Sequence, residues 1–179
     1  PPPRRGYTYR VMTNDVWKEY ESNLLTHSAA HYLMTIQALI DERGYARVTD
    51  IAKAMNITRG SCSISLKPLK KKGLVVEDEN KFLLLSDRGT LLAKLVERND
   101  ELLESFFKEV LGVDPEQAEV DACKLEHLIS IETSTKLAHF MECIKSQSHS
   151  VQAFLAELNK VAPVCSHVTG KRENETPAS

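Results

Sequence analysis

The sequence predicts a mainly α fold in two parts, a trihelical head closed by a short β-hairpin and a helical domain behind it. Two observations carry this. Between Val48 and Gly73 two short helical patterns are separated by a tight turn, and two brief apolar runs, 74–76 and 81–85, follow at once. Beyond Ser86 the apolar residues recur at helical spacing, with Gly and Pro only at the joints between segments.

Taken in order, residues 1–12 are rich in Pro, Arg and Tyr without periodicity and read as a flexible basic arm, with Arg4, Arg5 and Arg10 available to a polyanion. A first helix is expected over Asp15–Leu25. A second, capped by Ser28, ends near Gly44 and has Tyr32, Leu33, Ile36, Leu39 and Ile40 as one buried stripe. Thr49 is expected to cap a short helix, Asp50–Met55, and Asn56-Ile57-Thr58 makes a turn. The next helix spans Arg59 to Lys72, with Gly73 as C-cap and Pro68 expected to kink or loosen it. Strands at Leu74–Val76 and Lys81–Leu85 complete a winged helix-turn-helix. Ser86 caps a long helix toward Leu111. Pro115 opens a helix that runs to Ile129, another covers Glu132–Ile144, and a last one, capped by Ser148 or Ser150, reaches Lys160. The domains are therefore read as 13–88 for a winged helix-turn-helix head, 89–161 for a helical domain, and 162–179 for a polar tail.

The net charge of −2 hides an asymmetry. Tyr45–Val75 has seven Lys or Arg against one acid, and Glu97–Leu137 has four basic residues against eleven acidic ones. The basic part coincides with the helix that a winged head would insert into a major groove about 12 Å wide. Thr58, Arg59, Ser61, Ser63 and Ser65 offer donors near its start. Arg59 is the best candidate for guanine, while Lys67, Lys70 and Lys71 suit phosphates. No apolar run approaches the roughly 20 residues of a membrane span, and no secretory signal is recognisable, so a cytoplasmic protein without membrane contact is expected. Cys62, Cys123, Cys143 and Cys165 are too scattered to signal a disulfide framework. Cys62, the His139/Cys143 pair and Cys165 near His167 are read as packing or tail residues.

Cys123, Glu126 and His127 stand at i, i+3 and i+4, which gathers a thiolate, a carboxylate and an imidazole within about 5–6 Å on one helix face. Such a mixed set suits first-row transition metals better than calcium or magnesium. A buried Cys beside a surface Glu-His pair has the same spacing, so the residues alone leave both readings open.

The order of motifs resembles the DtxR/MntR family of metal-dependent repressors. Ala30-His31-Tyr32-Leu33 through Gly44 is similar to the family's first helix, Val48–Gly73 to its helix-turn-helix, Leu111-Gly112-Val113-Asp114 to its helix-ending segment, and Cys123-x-x-Glu126-His127 to its metal motif. The likeness spans roughly 28–145. It implies that Cys123, Glu126 and His127 are metal ligands and that His31 stands where the family has a Met or Asp ligand. Met34 occupies a carboxylate position of the manganese members and is read as core. The family's His on the long helix falls at Asn99 or Asp100, and Asp100 is preferred because a carboxylate can ligate. The resemblance further implies a homodimer built from the helices between Gly89 and Ile144, a palindromic double-stranded operator, Fe(II) or Mn(II) as corepressor, no enzymatic activity, and the compact type without an SH3-like domain. The alternative is a winged-helix regulator that senses a small organic ligand or redox state.

Overall fold

A computed structural model describes residues 25–146, 148–158 and 160. The arm, the helix expected over Asp15–Leu25 up to residue 24, and the tail lie outside the described residues. Two compact units divide the chain between Met141 and Glu142.

Helix α1 spans His27–Arg43. Its N-cap is Thr26, not Ser28. The Thr26 hydroxyl accepts from the Ala29 N–H at 3.2 Å, which starts the helix two residues earlier. Gly44, at φ 80°, closes the other end with its N–H on the Ile40 carbonyl. Ala30, Leu33 and Ile36 are fully buried along one face; each large aliphatic contributes about 1.5–3 kcal/mol.

Helix α2, Val48–Ala54, begins before the expected Thr49 cap; Arg47 is the N-cap residue and supplies no side-chain cap. Asn56 turns the chain at φ 52°, a conformation Asn tolerates better than most residues. Helix α3 is Arg59–Lys71 with Thr58 as N-cap, its hydroxyl accepting from Ser61 N–H at 3.1 Å. Cys62, Leu66 and Leu69 bury one face of α3, so the opposite face points outward. The helix continues through Pro68. The bond Pro68 cannot donate belongs to the carbonyl of Ile64, and both residues are exposed, where water can serve that oxygen.

Strands β1, Val75–Glu77, and β2, Leu83–Leu85, pair antiparallel with Val75 opposite Leu85 and Glu77 opposite Leu83. The second strand starts later than expected because Lys81 lies in the turn at φ 65°, while the Asp78 carboxylate accepts from the N–H groups of Asn80 and Phe82 at 2.9 and 2.7 Å. Leu83 also donates to the Ala46 carbonyl at 2.8 Å, which ties the wing to the loop after α1.

Helix α4 is Asp87–Glu109, capped by Ser86. Its third residue, Gly89, packs so closely on the wing that a Cβ there would stand 2.2 Å from the Leu74 carbonyl oxygen. Helix α5, Pro115–Leu125, is capped by Asp114 with Pro at its start and stops four residues short of the expected Ile129. Ser130 begins the next helix by accepting from Thr133 N–H at 3.1 Å, which gives the chain a new cap and leaves 126–129 as the joint. Helix α6 is Ile131–Lys145. In the second unit, α7 is His149–Leu158, shorter than expected, with Ser148 accepting from Val151 N–H.

The core of the first unit centres on Leu33, Ile36, Ile51, Leu66, Leu74, Leu83, Leu92 and Val96. It joins α1, α2, α3, the wing and the first half of α4. Among the described residues no helix is long and apolar enough to cross a membrane.

Candidate metal centre

The start of α1 and the end of α5 meet. His31 lies one turn inside α1; Cys123 lies in the last turn of α5, with Glu126 as its C-cap and His127 in the following turn. The expected single helix face is thus a helix terminus, yet Glu126 keeps right-handed helical angles and its N–H bonds the Ala122 carbonyl, so the spacing survives the end of the helix.

Across 92 residues of sequence, Cys123 Sγ comes within 3.3 Å of His31 Nε2, and Glu126 Oε1 stands 3.9 Å from the same nitrogen. His27 joins them. Its Nε2 is 3.1 Å from that of His31, and the ligand atoms of His27, His31, Cys123 and Glu126 all lie within 4.8 Å of one another. His127 is buried behind this group, with its ring centroid 5.1 Å from that of His27. Its Nδ1 is buried and has no hydrogen-bond partner among the described residues. Asp100 is half-buried and stands outside the group of four. Sequence reading missed His27, although its i, i+4 relation to His31 is the available signal. Met34 packs against the hydrophobic core, as expected.

Position 99 does different work. Asn99 is fully buried, donates through Nδ2 to the Glu126 carbonyl at 2.9 Å and accepts from Ser134 Oγ at 2.5 Å. It fastens the joint that holds Glu126 to both α4 and α6.

The electrostatics match the geometry. Burial, then Asp100, pushes the Glu126 carboxyl up to about 7. Burial, then Glu126, Asp100 and Glu119, raises the Cys123 thiol. Burial, then Glu104, Glu119 and Glu101, raises Asp100. Burial lowers His31, with His27 adding to the effect, and lowers His127, with His27 and His31 adding. Burial thus disfavours the charged forms of His31 and His127 and the ionised forms of Cys123, Glu126 and Asp100, and the acids repel one another once ionised. A divalent cation would offset the repulsion among the ionised acids and use the imidazole lone pairs. The orphaned His127 nitrogen and the soft-hard donor mixture therefore fit a transition metal.

On the head, Thr58, Arg59, Ser61, Ser63, Lys67 and Lys71 are exposed on or beside α3, while Ser65 and Lys70 are half-buried. Lys70 is committed to a close ion pair with Glu77 of the wing, which Lys81 shares. Arg47, absent from the expected set, lies over the rings of Tyr45 and Phe82 at 5.5 and 4.7 Å.

A winged helix-turn-helix whose first helix shares a metal-competent site with the following domain defines a metal-dependent DNA-binding regulator. Two family profiles match the chain, "Iron dependent repressor, N-terminal DNA binding domain" over residues 24–82 and "Iron dependent repressor, metal binding and dimerisation domain" over 86–154. The HTH-type transcriptional regulator MntR of Bacillus pumilus is 33% identical over 132 residues, 72% of this chain and 90% of the relative. That of Lysinibacillus sphaericus is 31% identical over 127 residues, 71% of this chain and 91% of the relative. Among solved structures, the manganese regulator SloR is 26% identical with a TM-score of 0.57 over 63% of this chain and 53% of its own. The chain belongs to the DtxR/MntR family of metal-responsive transcriptional repressors. That membership supports the metal-responsive reading over the alternative of an organic-ligand or redox sensor.

Proposed function

We propose that this protein is a homodimeric repressor in which Fe(II) or Mn(II), acting as corepressor, is held by His31, Cys123, Glu126 and His127, with Asp100 close by, and that the dimer reads a palindromic operator. One observation carries the reading: an imidazole from the DNA-binding head and a thiolate and carboxylate from the far end of α5 converge although 92 residues separate them. A bound divalent ion supplies the positive charge that lets these donors share one small volume.

The residues of the chain do the rest. Cys123, once deprotonated, contributes a soft donor that favours iron over manganese. Asn99 fixes the backbone at Glu126. His31 transmits the state of the site to α1, whose buried face packs in the same core as α3. On α3, Arg59 and the hydroxyls of Ser61 and Ser63 address base edges, and Lys67 and Lys71 meet phosphates. The exposed apolar side chains Leu111, Val120, Leu125, Leu128 and Phe140 give the second domain surface to bury against a second copy. Two heads then engage half-sites one or more helical turns apart. The heads fit the operator only in the metal-held arrangement, which is the source of the coupling.

The test is DNA selected from a random pool in the presence of Mn(II) or anaerobic Fe(II), with affinity followed by fluorescence anisotropy across Fe(II), Mn(II), Co(II), Ni(II) and Zn(II). His127→Ala is expected to keep its circular dichroism spectrum and lose the metal-stimulated part of binding. A normal metal response in that variant rejects the ligand assignment.

A further inference from the structure

Resting on the proposed site, we infer that His27 is an additional metal ligand, and that a second α1 imidazole biases the site toward borderline ions such as Fe(II), Co(II), Ni(II) and Zn(II) and away from Mn(II). His27 lies in the first turn of α1, one helical turn before His31, so both rings project from the same stripe. Their Nε2 atoms are 3.1 Å apart, and that of His31 is also 3.3 Å from Cys123 Sγ. Separations of this size are those of donors around a common centre, since metal–ligand bonds of about 2.0–2.3 Å place adjacent donors roughly 3–4 Å apart. The His27 ring is also in tilted contact with that of His127, so it bridges the outer and buried imidazoles.

Burial is graded in the right sense. His27 is exposed, His31 and Cys123 are half-buried, and Glu126 is buried. His27 therefore closes the solvent side of the cluster, the position at which a water would otherwise complete the coordination. Replacing a water oxygen by an imidazole nitrogen strengthens the site for iron, cobalt, nickel and zinc more than for manganese, which sits lowest in the series and favours oxygen donors.

Cobalt(II) reports this directly. Titration of the full chain with Co(II) is expected to give a thiolate-to-cobalt charge-transfer band, from Cys123, and a d–d envelope set by the whole donor set. In His27→Ala the charge-transfer band persists, the d–d envelope shifts, and Co(II) affinity falls by about tenfold or more, while Mn(II) affinity, followed by electron paramagnetic resonance, changes less than about threefold. Because His27 is exposed, the variant is expected to fold, and its melting temperature checks this. Cys123→Ser, which loses the charge-transfer band, serves as the control. An unchanged d–d envelope and affinity in His27→Ala, with the band still lost in Cys123→Ser, overturns the His27 inference alone. Absence of both features in the wild-type protein overturns the site reading beneath it.

Discussion

At the scale of single residues, the least conspicuous side chain of the centre has the clearest consequence. Asn99 offers no donor to the metal cluster, yet its amide spans the Glu126 carbonyl and the Ser134 hydroxyl in a fully buried setting. Removing it strands those polar atoms, at a cost of about 1–3 kcal/mol. It also releases the backbone that aims Glu126, and outer residues of this kind typically govern metal affinity by about 10–100-fold. Asn99→Ala is therefore expected to lower the urea midpoint and weaken Co(II) binding together. A variant with the lower midpoint and full metal affinity shows that the amide serves the fold only. Donor chemistry alone favours Asp100 over Asn99 as a ligand. Burial, which sequence spacing does not report for two adjacent residues on one helix, is what separates their roles.

At the scale of elements, most of the layout was legible. The Ser86 cap, the Gly44 helix end and the wing all carry strong local signals, and the structure has them, while the long helix stops at Glu109, short of the expected Leu111. The discrepancies occur where two local signals compete. Thr26 and Ser28 are both good caps; the earlier one begins the helix with His27 and thereby creates the His27–His31 pair. The joint at 126–129 contains neither Gly nor Pro, so the end of α5 is set by the Ser130 cap downstream and by the Asn99 anchor, a contact 27 residues distant. Gly89 belongs to this scale too. The Leu74 carbonyl occupies the space of a side chain there, and Ser86 N–H bonds that same oxygen at 3.1 Å. Gly89→Ala must push α4 away from the wing, and overpacking of this kind costs about 1–3 kcal/mol or more. A thermal melt is expected to show a clearly lowered midpoint; an unchanged one means the junction yields without strain.

At the scale of the molecule, the apo site links stability to pH. The Glu126 carboxyl has an ordinary value of 4.5 and is pushed up to about 7, chiefly by burial. The folded chain thus binds this proton more tightly than the unfolded chain, and the stability it adds is full below about 4.5 and is lost as pH rises through about 7. The lowered imidazoles of His31 and His127 act in the opposite direction, losing their contribution as pH falls through their folded values. Glu126→Gln isolates the first effect, since Gln resembles the protonated acid at every pH. In metal-free protein, the unfolding free energy of the wild type relative to Glu126→Gln is expected to decline from pH 4.5 to 7; a constant difference across that range means the carboxyl is ionised throughout.

The 92-residue separation of His31 and Cys123 has one more consequence. An ion held by both, as proposed, would act as a reversible staple. Such an ion would bind the native chain and have no comparable grip on an opened one, so at a hundredfold excess over its dissociation constant it would add about 2.7 kcal/mol against opening. Degradation that begins from transiently opened molecules then runs faster when the ion is scarce. Scarcity would relieve repression twice, first by loosening the grip on the operator and then by shortening the lifetime of the repressor itself.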